Sequence, residues 1–307
     1  MNLTPNNNTE LYGHKIVFSN LVKLYLEGNL PNKIIISGKK GIGKSTFAYH
    51  LINYIFSIND KEKYNIQNNR INENNNNYKL VSKNSHPNFF LISNDDKSNI
   101  HISKIREMIN FTNKSSFNNS CRIVLIDNIE HLNIFSVNAL LKIIEEPNDN
   151  LYFFLIHNSN SRILDTLNSR CIKFNLFLND IDKSKALDNL LKNDFYSNLS
   201  DDFKNVYNSP GDIILLYNFF LENNIDPGIK IEDLFKLIIN KKIYKKNLFV
   251  KDNLSYFIEL YFKKKITLYS AKKVYYYLYK YFLLKISNCK KYNLDFESIL
   301  IEFDNKV

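Results

Sequence analysis

Two stretches of this sequence carry residue types that could do chemistry together. Gly38-Lys39-Lys40-Gly41-Ile42-Gly43-Lys44-Ser45 fits the pattern G-x-x-x-x-G-K-[ST] and holds three of the chain's seven glycines. Glycines at those places let backbone N–H groups turn inward around phosphate oxygens, the start of a following helix adds partial positive charge, and Lys44 adds a full one. Ser45 then offers its hydroxyl to a magnesium ion, with Thr46 next to it. Gly38, Gly41, Gly43, Lys44, Ser45 and Thr46 are therefore the candidate phosphate cradle. The second stretch, Arg122-Ile123-Val124-Leu125-Ile126-Asp127, runs four aliphatics into a carboxylate. A carboxylate at such a strand end can hold magnesium through water, opposite Ser45. The pair predicts ATP or another nucleoside triphosphate bound with Mg2+. Hydrolysis is a separate matter, because it needs a group that positions or deprotonates water. The residue after Asp127 is Asn128, whose amide cannot accept a proton. Glu130 is nearby, but three residues past Asp127 it is expected to point elsewhere once the chain leaves the strand.

These groups need a scaffold that brings a strand end, a loop and a helix start together. Lys33-Ile34-Ile35-Ile36-Ser37 is a β-branched run of strand length directly before the glycines, and Phe47, Leu51, Ile52, Ile55 and Phe56 follow at helical spacing. Upstream, residues 1–10 are polar and Asn-rich, and Ile16, Val17, Leu21, Leu24 and Leu26 mark a short helix. Downstream, the pattern predicts strands at 89–92, 122–127, 151–156 and 172–177, with helices at 102–112, 136–146 (stopped by Pro147) and 162–168. Strands alternating with helices through residue 177 predict one α/β domain with a mostly parallel sheet, which binds ligands at the carboxyl ends of its strands. Residues 58–85 include Gln67 to Asn77, a low-complexity run read as an exposed insertion that cannot bury enough surface to fold alone. Strands stop near 178. Residues 181–222 read as short helices broken at Ser209-Pro210-Gly211, and 225–307 as longer amphipathic helices rich in Tyr, Phe, Leu and Lys.

Length and composition bound the reading. A chain of 307 residues is expected to hold two or three domains, each with its own core. Its formal charge of +10 would suggest a polyanionic partner, yet the sequence is saturated with Asn, Lys, Ile, Tyr and Phe and has no Trp. A coding bias toward A and T produces that composition everywhere, so basicity says little about partners. Cys121, Cys171 and Cys289 are odd in number and far apart, which indicates neither a disulfide framework nor a thiolate zinc site and fits a reducing cytosol. The first ten residues have no basic, apolar leader pattern, and no apolar run nears the length of a membrane span. A cytoplasmic protein without a membrane partner is expected.

Further along the chain stand Asn138-Ala139-Leu140-Leu141-Lys142-Ile143-Ile144-Glu145-Glu146-Pro147, then a strand, then Asn168-Ser169-Arg170-Cys171. Together these strongly resemble the bacterial clamp-loader subunits of the AAA+ family. Leu11-Tyr12-Gly13-His14 and His86-Pro87-Asn88 add to the likeness, which runs to about Phe177. The resemblance implies an AAA+ domain over 1–177, a small helical lid domain over 178–222 and an all-helical collar domain over 223–307. It implies a hetero-pentamer with gamma/tau and delta subunits that opens a sliding clamp and places it on primer-template DNA. Such a chain is part of DNA polymerase III but has no polymerase chemistry of its own. ATP sites in the family lie between neighbouring subunits, so Arg170 would be an arginine finger reaching the γ-phosphate held by the next subunit. A guanidinium suits that role through its fixed fork of donors and permanent charge. Asn158 matches the family's polar sensor-1 position, with His157 a weaker candidate beside it.

The departures from the family pattern agree with one another. Its second sensor begins a helix with small-Pro-Gly-Arg, whereas this chain has Ser209-Pro210-Gly211-Asp212, and a carboxylate there would repel the γ-phosphate. With Asn128 standing for a catalytic Glu, binding without efficient turnover is implied, as in a stator rather than a motor. The alternatives are an active clamp-loader ATPase of the gamma/tau type, or an autonomous P-loop ATPase or kinase, although Arg106, Arg122, Arg162 and Arg170 form no cluster resembling a kinase lid. A four-cysteine zinc module often follows the P-loop helix in the family; here the Asn-rich stretch stands in its place, so no zinc is expected. In the last helices, Tyr275, Tyr276, Tyr277, Tyr279, Tyr281 and Phe282 read as helix core plus amphipathic interface. Lys241-Lys242, Lys245-Lys246 and Lys263-Lys264-Lys265 read as solvated faces rather than a DNA track.

Overall fold

Strands that are apolar on both faces require a sheet covered on both sides. In the structure, a computed structural model that describes residues 4–93, 100–145, 150–191, 194–204, 208–268, 272–292 and 294–306, that sheet has five parallel strands. They are β1 (Lys33–Gly38), β2 (Phe89–Ile92), β3 (Arg122–Ile126), β4 (Leu151–Asn158) and β5 (Ile172–Asn175), in the spatial order β2-β3-β4-β1-β5. Ile34, Ile36, Ile123, Leu125, Phe154 and Ile156 enter one core, and Ile35, Val124, Ile126, Phe153 and Leu155 enter the other, each no more than 1 % exposed. At about 1.5–3 kcal/mol for each large side chain removed from water, this alternation is what holds the three inner strands in register.

Helices fill the two faces. α1 (Lys15–Leu26) and α2 (Lys44–Ser57) cover the first with Phe18, Leu21, Phe47, Leu51 and Ile52, and α3 (Asn76–Ser82) adds Val81. α4 (Ile102–Thr112) and α5 (Ile134–Glu145) cover the second with Ile105, Met108, Leu140 and Ile144, and α6 (Asp165–Asn168) inserts Leu167. Several boundaries differ from the sequence pattern: β3 ends at Ile126 and β5 at Asn175, short of the predicted 127 and 177. α5 begins two residues early because the Asn133 side chain accepts the Ser136 N–H at 2.8 Å and caps it. β4 runs on to Asn158, and α6 is a single turn rather than a helix from 162. Glu146 and Pro147 lie outside the described residues.

Residues 58–85 do not form an exposed insertion. Tyr64, Ile71 and Val81 are 6 %, 3 % and 0 % exposed and belong to the same core as α1 and α2. Asparagine amides supply the polar partners that an irregular segment needs. Asn75 is 3 % exposed, caps α3 by accepting the Tyr78 N–H at 3.0 Å, and donates to Asp60 and to the Glu62 carbonyl at 2.8 Å each. Asn77 donates to the Phe56 carbonyl at 2.9 Å and to Asp60 at 3.0 Å. Low complexity therefore misled: three apolar anchors at the right places hold the segment, and Asn satisfies the backbone between them.

The chain divides into two units, Met1–Ala186 with Ser209–Gly211, and Leu187–Asn208 with Asp212–Val307. α7 (Asp180–Leu190) spans the division, and the second unit continues with α8 (Phe195–Asn198), α9 (Asp201–Lys204), α10 (Pro210–Glu222), α11 (Ile231–Asn240), α12 (Ile243–Lys246), α13 (Leu248–Leu268), α14 (Lys272–Tyr292) and α15 (Glu297–Lys306). One hydrophobic cluster from Leu187 to Phe303 joins helices before and after residue 222. On α14, Phe282 is buried and Tyr275, Tyr279 and Tyr281 pack against that cluster, while Tyr276 and Tyr277 are exposed. Lys264 is not part of a solvated face: it sits between Asp202 at 2.8 Å and Glu232 at 2.7 Å. Among the described residues no helix is long and apolar enough to cross a membrane.

Candidate functional site

β1 delivers the glycine loop to the carboxyl edge of the sheet between two neighbours. The Ser159 N–H donates to the Gly38 carbonyl at 3.0 Å and the Leu176 N–H to the Ser37 carbonyl at 2.7 Å. A Cβ on Gly38 would lie 2.8 Å from the Leu176 carbonyl oxygen, so only glycine fits. Gly41 and Gly43 have φ of +78° and +90°, and Gly43 caps α2. That left-handed conformation turns the loop into an inward-facing nest of N–H groups.

Lys44 is 8 % exposed and its Nζ donates to the Lys39 carbonyl at 2.8 Å. Burial pushes its pKa down, opposed by the charges of Asp127 and Glu130. Ser45 Oγ donates to Asp127 Oδ2 at 3.0 Å, a contact that passes the end of β4. Burial raises the Asp127 pKa, opposed chiefly by that hydrogen bond and by Lys44. Each charge is thus held at a desolvation penalty that the other only partly offsets. A magnesium–phosphate group fits what both lack, with negative charge beside Lys44 and positive charge beside Asp127. Thr46 is half-buried on the same first turn of α2.

Around this pair the structure separates the other candidates. Asn158 ends β4 in register with Gly38, so it flanks the loop. Its Oδ1 accepts the Asn160 N–H at 3.2 Å, and its N–H donates to Glu130 Oε2 at 3.2 Å. Glu130 therefore does not point elsewhere. Asn128 adopts the left-handed conformation, with φ 58° and ψ 60°, and the reversal there sends Glu130 back to the strand end, where its charge acts on Lys44 and Asp127. His157 is 3 % exposed; its Nε2 donates to the Ser161 carbonyl at 3.0 Å and its Nδ1 accepts from Ser37 Oγ at 3.1 Å. It ties β4 to β1 inside the sheet and offers nothing to a ligand. Gly211 N–H donates to the Gly41 carbonyl at 2.9 Å, and a Cβ on Gly211 would lie 2.7 Å from the Gly41 Cα. The turn Ser209–Gly211 is thus packed on the phosphate loop, and Asp212 follows it in the first turn of α10.

Arg170 lies at the other edge. β5 runs parallel to β1 with Ile172 beside Ile34, four residues before Gly38, so Arg170, which precedes the amino end of β5, lies about 13 Å or more from the loop measured along the strands. Its Nε and Nη2 donate to Glu145 Oε1, each at 2.8 Å, and its Nη1 donates to the Thr166 carbonyl at 3.0 Å. The Glu145–Arg170 pairing has no signal in the sequence, since no periodicity links the end of α5 to a turn beyond the next strand.

Comparison with known proteins agrees with this architecture. A DNA polymerase III subunit delta' of Buchnera aphidicola from Schizaphis graminum is 26 % identical over 62 % of this chain and 63 % of its own length. A second, from the Baizongia pistaciae strain, is 36 % identical over 32 % of this chain and 31 % of its length. The chain thus spans less than two thirds of these relatives. Among solved structures, a DNA polymerase III gamma subunit-related protein of Thermotoga maritima superposes with a TM-score of 0.50 at 15 % identity, covering 92 % of this chain and 96 % of that one. At that identity the likeness is one of fold, and it accords with the α/β AAA+ architecture. The family model described as DNA polymerase III, delta subunit matches residues 13–179, more than half the chain, and the chain belongs to that family.

Proposed function

We propose that this chain is a delta-prime-like, non-motor subunit of a DNA polymerase III clamp loader, which binds Mg-ATP without turning it over efficiently and lends Arg170 to ATP held by a neighbouring subunit. The observation that carries the proposal is the placement of Arg170 and Lys44 at opposite edges of one sheet. A guanidinium at the amino edge serves a phosphate on another molecule far more readily than its own. The P-loop N–H groups and Lys44 would hold the phosphates, Ser45 and Asp127 the metal, and Asn158 would face the terminal phosphate. When bound, Mg2+ neutralises charge on the phosphate oxygens. Residues 178–222 and 223–307 take the lid and collar roles in this proposal, with gamma/tau and delta subunits, a sliding clamp and primer-template DNA as partners.

The test is ATP hydrolysis by the purified chain, alone and reassembled with partner ATPase subunits. Arg170→Ala is expected to lower turnover by the complex about tenfold or more while assembly persists. Unchanged turnover would remove the finger. A second reading has one observation in its favour, namely that Glu130 faces the Lys44–Asp127 pair. An active ATPase of the gamma/tau type would use it as base. Steady turnover by the isolated chain, lost in Glu130→Gln, would select that reading.

A further inference from the structure

We infer that Glu145 is the positioning residue for Arg170, a role that rests on the proposal that Arg170 acts on a neighbour's ATP. A guanidinium has five N–H groups. Glu145 Oε1 takes the ones on Nε and Nη2 that lie along one edge, and the Thr166 carbonyl takes one on Nη1. One N–H on each of Nη1 and Nη2 is left for a phosphate oxygen to accept. Three fixed donors and two remaining ones are what a presented finger needs.

The surroundings favour this arrangement. Glu145 is the last residue of α5, where helix carbonyls add partial negative charge to the carboxylate, and both features attract a cation. The Arg170 backbone is held too: its N–H donates to the Leu167 carbonyl at 3.2 Å, and Leu167 is 1 % exposed in the core. Backbone and side chain are thus both anchored, the first by α6 and the second by Glu145 of α5 and the Thr166 carbonyl of α6. The ion pair is exposed, with side-chain accessibilities of 39 % and 50 %, and an exposed pair adds little to stability. Its effect is to remove freedom from a long side chain before the phosphate arrives, which raises turnover rather than affinity.

The experiment compares Glu145→Ala, Glu145→Gln, Arg170→Ala and the double variant in the reassembled complex, with kcat and KM for ATP and thermal unfolding of each chain. Glu145→Ala is expected to lower kcat about fivefold to tenfold with KM and melting temperature unchanged. Glu145→Gln, which keeps an acceptor oxygen, is expected to recover part of that loss. The double variant should match Arg170→Ala, because Glu145 acts only through the arginine. If Arg170→Ala lowers kcat and Glu145→Ala does not, or raises it, positioning is wrong and the finger stands. A double variant clearly slower than Arg170→Ala would also overturn it. No effect of Arg170→Ala would refute the finger itself, a separate failure.

Discussion

Acidification should unfold this protein earlier than its carboxylates alone would. His50 is fully buried; its Nε2 donates to the Asn8 carbonyl at 3.2 Å and its Nδ1 accepts from the Tyr64 hydroxyl at 2.8 Å. Burial lowers its pKa from 6.5 to about 3. His86, stacked on Phe56 at 4.1 Å and accepting the Asn88 N–H at Nδ1, is lowered to about 4, again by burial. Because both folded values lie below the unfolded one, the unfolded chain binds more protons below pH 6.5, and stability present above that pH is lost as it falls toward 4 and 3. At pH 5 each histidine has released about 1.5 pKa units of linkage, about 2 kcal/mol, so the two together remove about 4 kcal/mol from a typical total of 5–15. Burial shifts His14 and His157 the same way. Asp127, with its pKa raised by burial, opposes them by taking up a proton in the fold as pH falls. Urea midpoints between pH 7.5 and 5 measure the loss, and His50→Gln should remove about 2 kcal/mol of it. A midpoint that stays flat over that range, or a His50 ring resonance that titrates near 6.5, would refute the reasoning.

Ile71→Ala should destabilise the first unit by about 2–4 kcal/mol, because the side chain is 3 % exposed in the shared core; a urea series showing under 1 kcal/mol would mean that the Asn-rich segment is not anchored. Asn128→Val should lower stability by about 1–2 kcal/mol through its left-handed φ of 58°, whereas Asn128→Gly should be nearly neutral, as thermal melts can compare. Lys44→Ala should abolish ATP binding in calorimetric titration and leave the melting temperature equal or higher, since a buried charge is removed.

Much of the first unit was legible because its chemistry and its packing use the same strands. Four aliphatics before Asp127 announce a strand buried on both faces, and the structure places its odd and even residues in separate cores. The glycine loop reads from sequence because φ of +78° and +90° at Gly41 and Gly43 strains other side chains and a carbonyl at 2.8 Å excludes a Cβ at Gly38. Glu145 and Glu130 were not legible. Their positions depend on where a turn returns the chain, and no period of 2 or 3.6 encodes a turn. Residues 58–85 failed for another reason. Composition averages over a segment, whereas Tyr64, Ile71 and Val81 act singly at the core.

Asparagine links these misreadings. The chain has seven glycines, and among the described residues six of the nine non-glycine positions with positive φ are Asn. Asn tolerates the left-handed region better than other side chains because its short amide bonds locally to the backbone. A sequence poor in Gly therefore places Asn at its turns, including Asn118, Asn150 and Asn128. At Asn128 this has a chemical consequence. The position directly after Asp127 is where a catalytic acid would be sought, and here it is the residue that reverses the chain and sends Glu130 to the Asn158 N–H. Replacing Asn128 with Glu would put a longer side chain into a conformation it disfavours, and would strain the very turn that holds Glu130. Weak turnover, in the proposed function, is thus a property of the backbone at this turn as much as of one missing carboxylate.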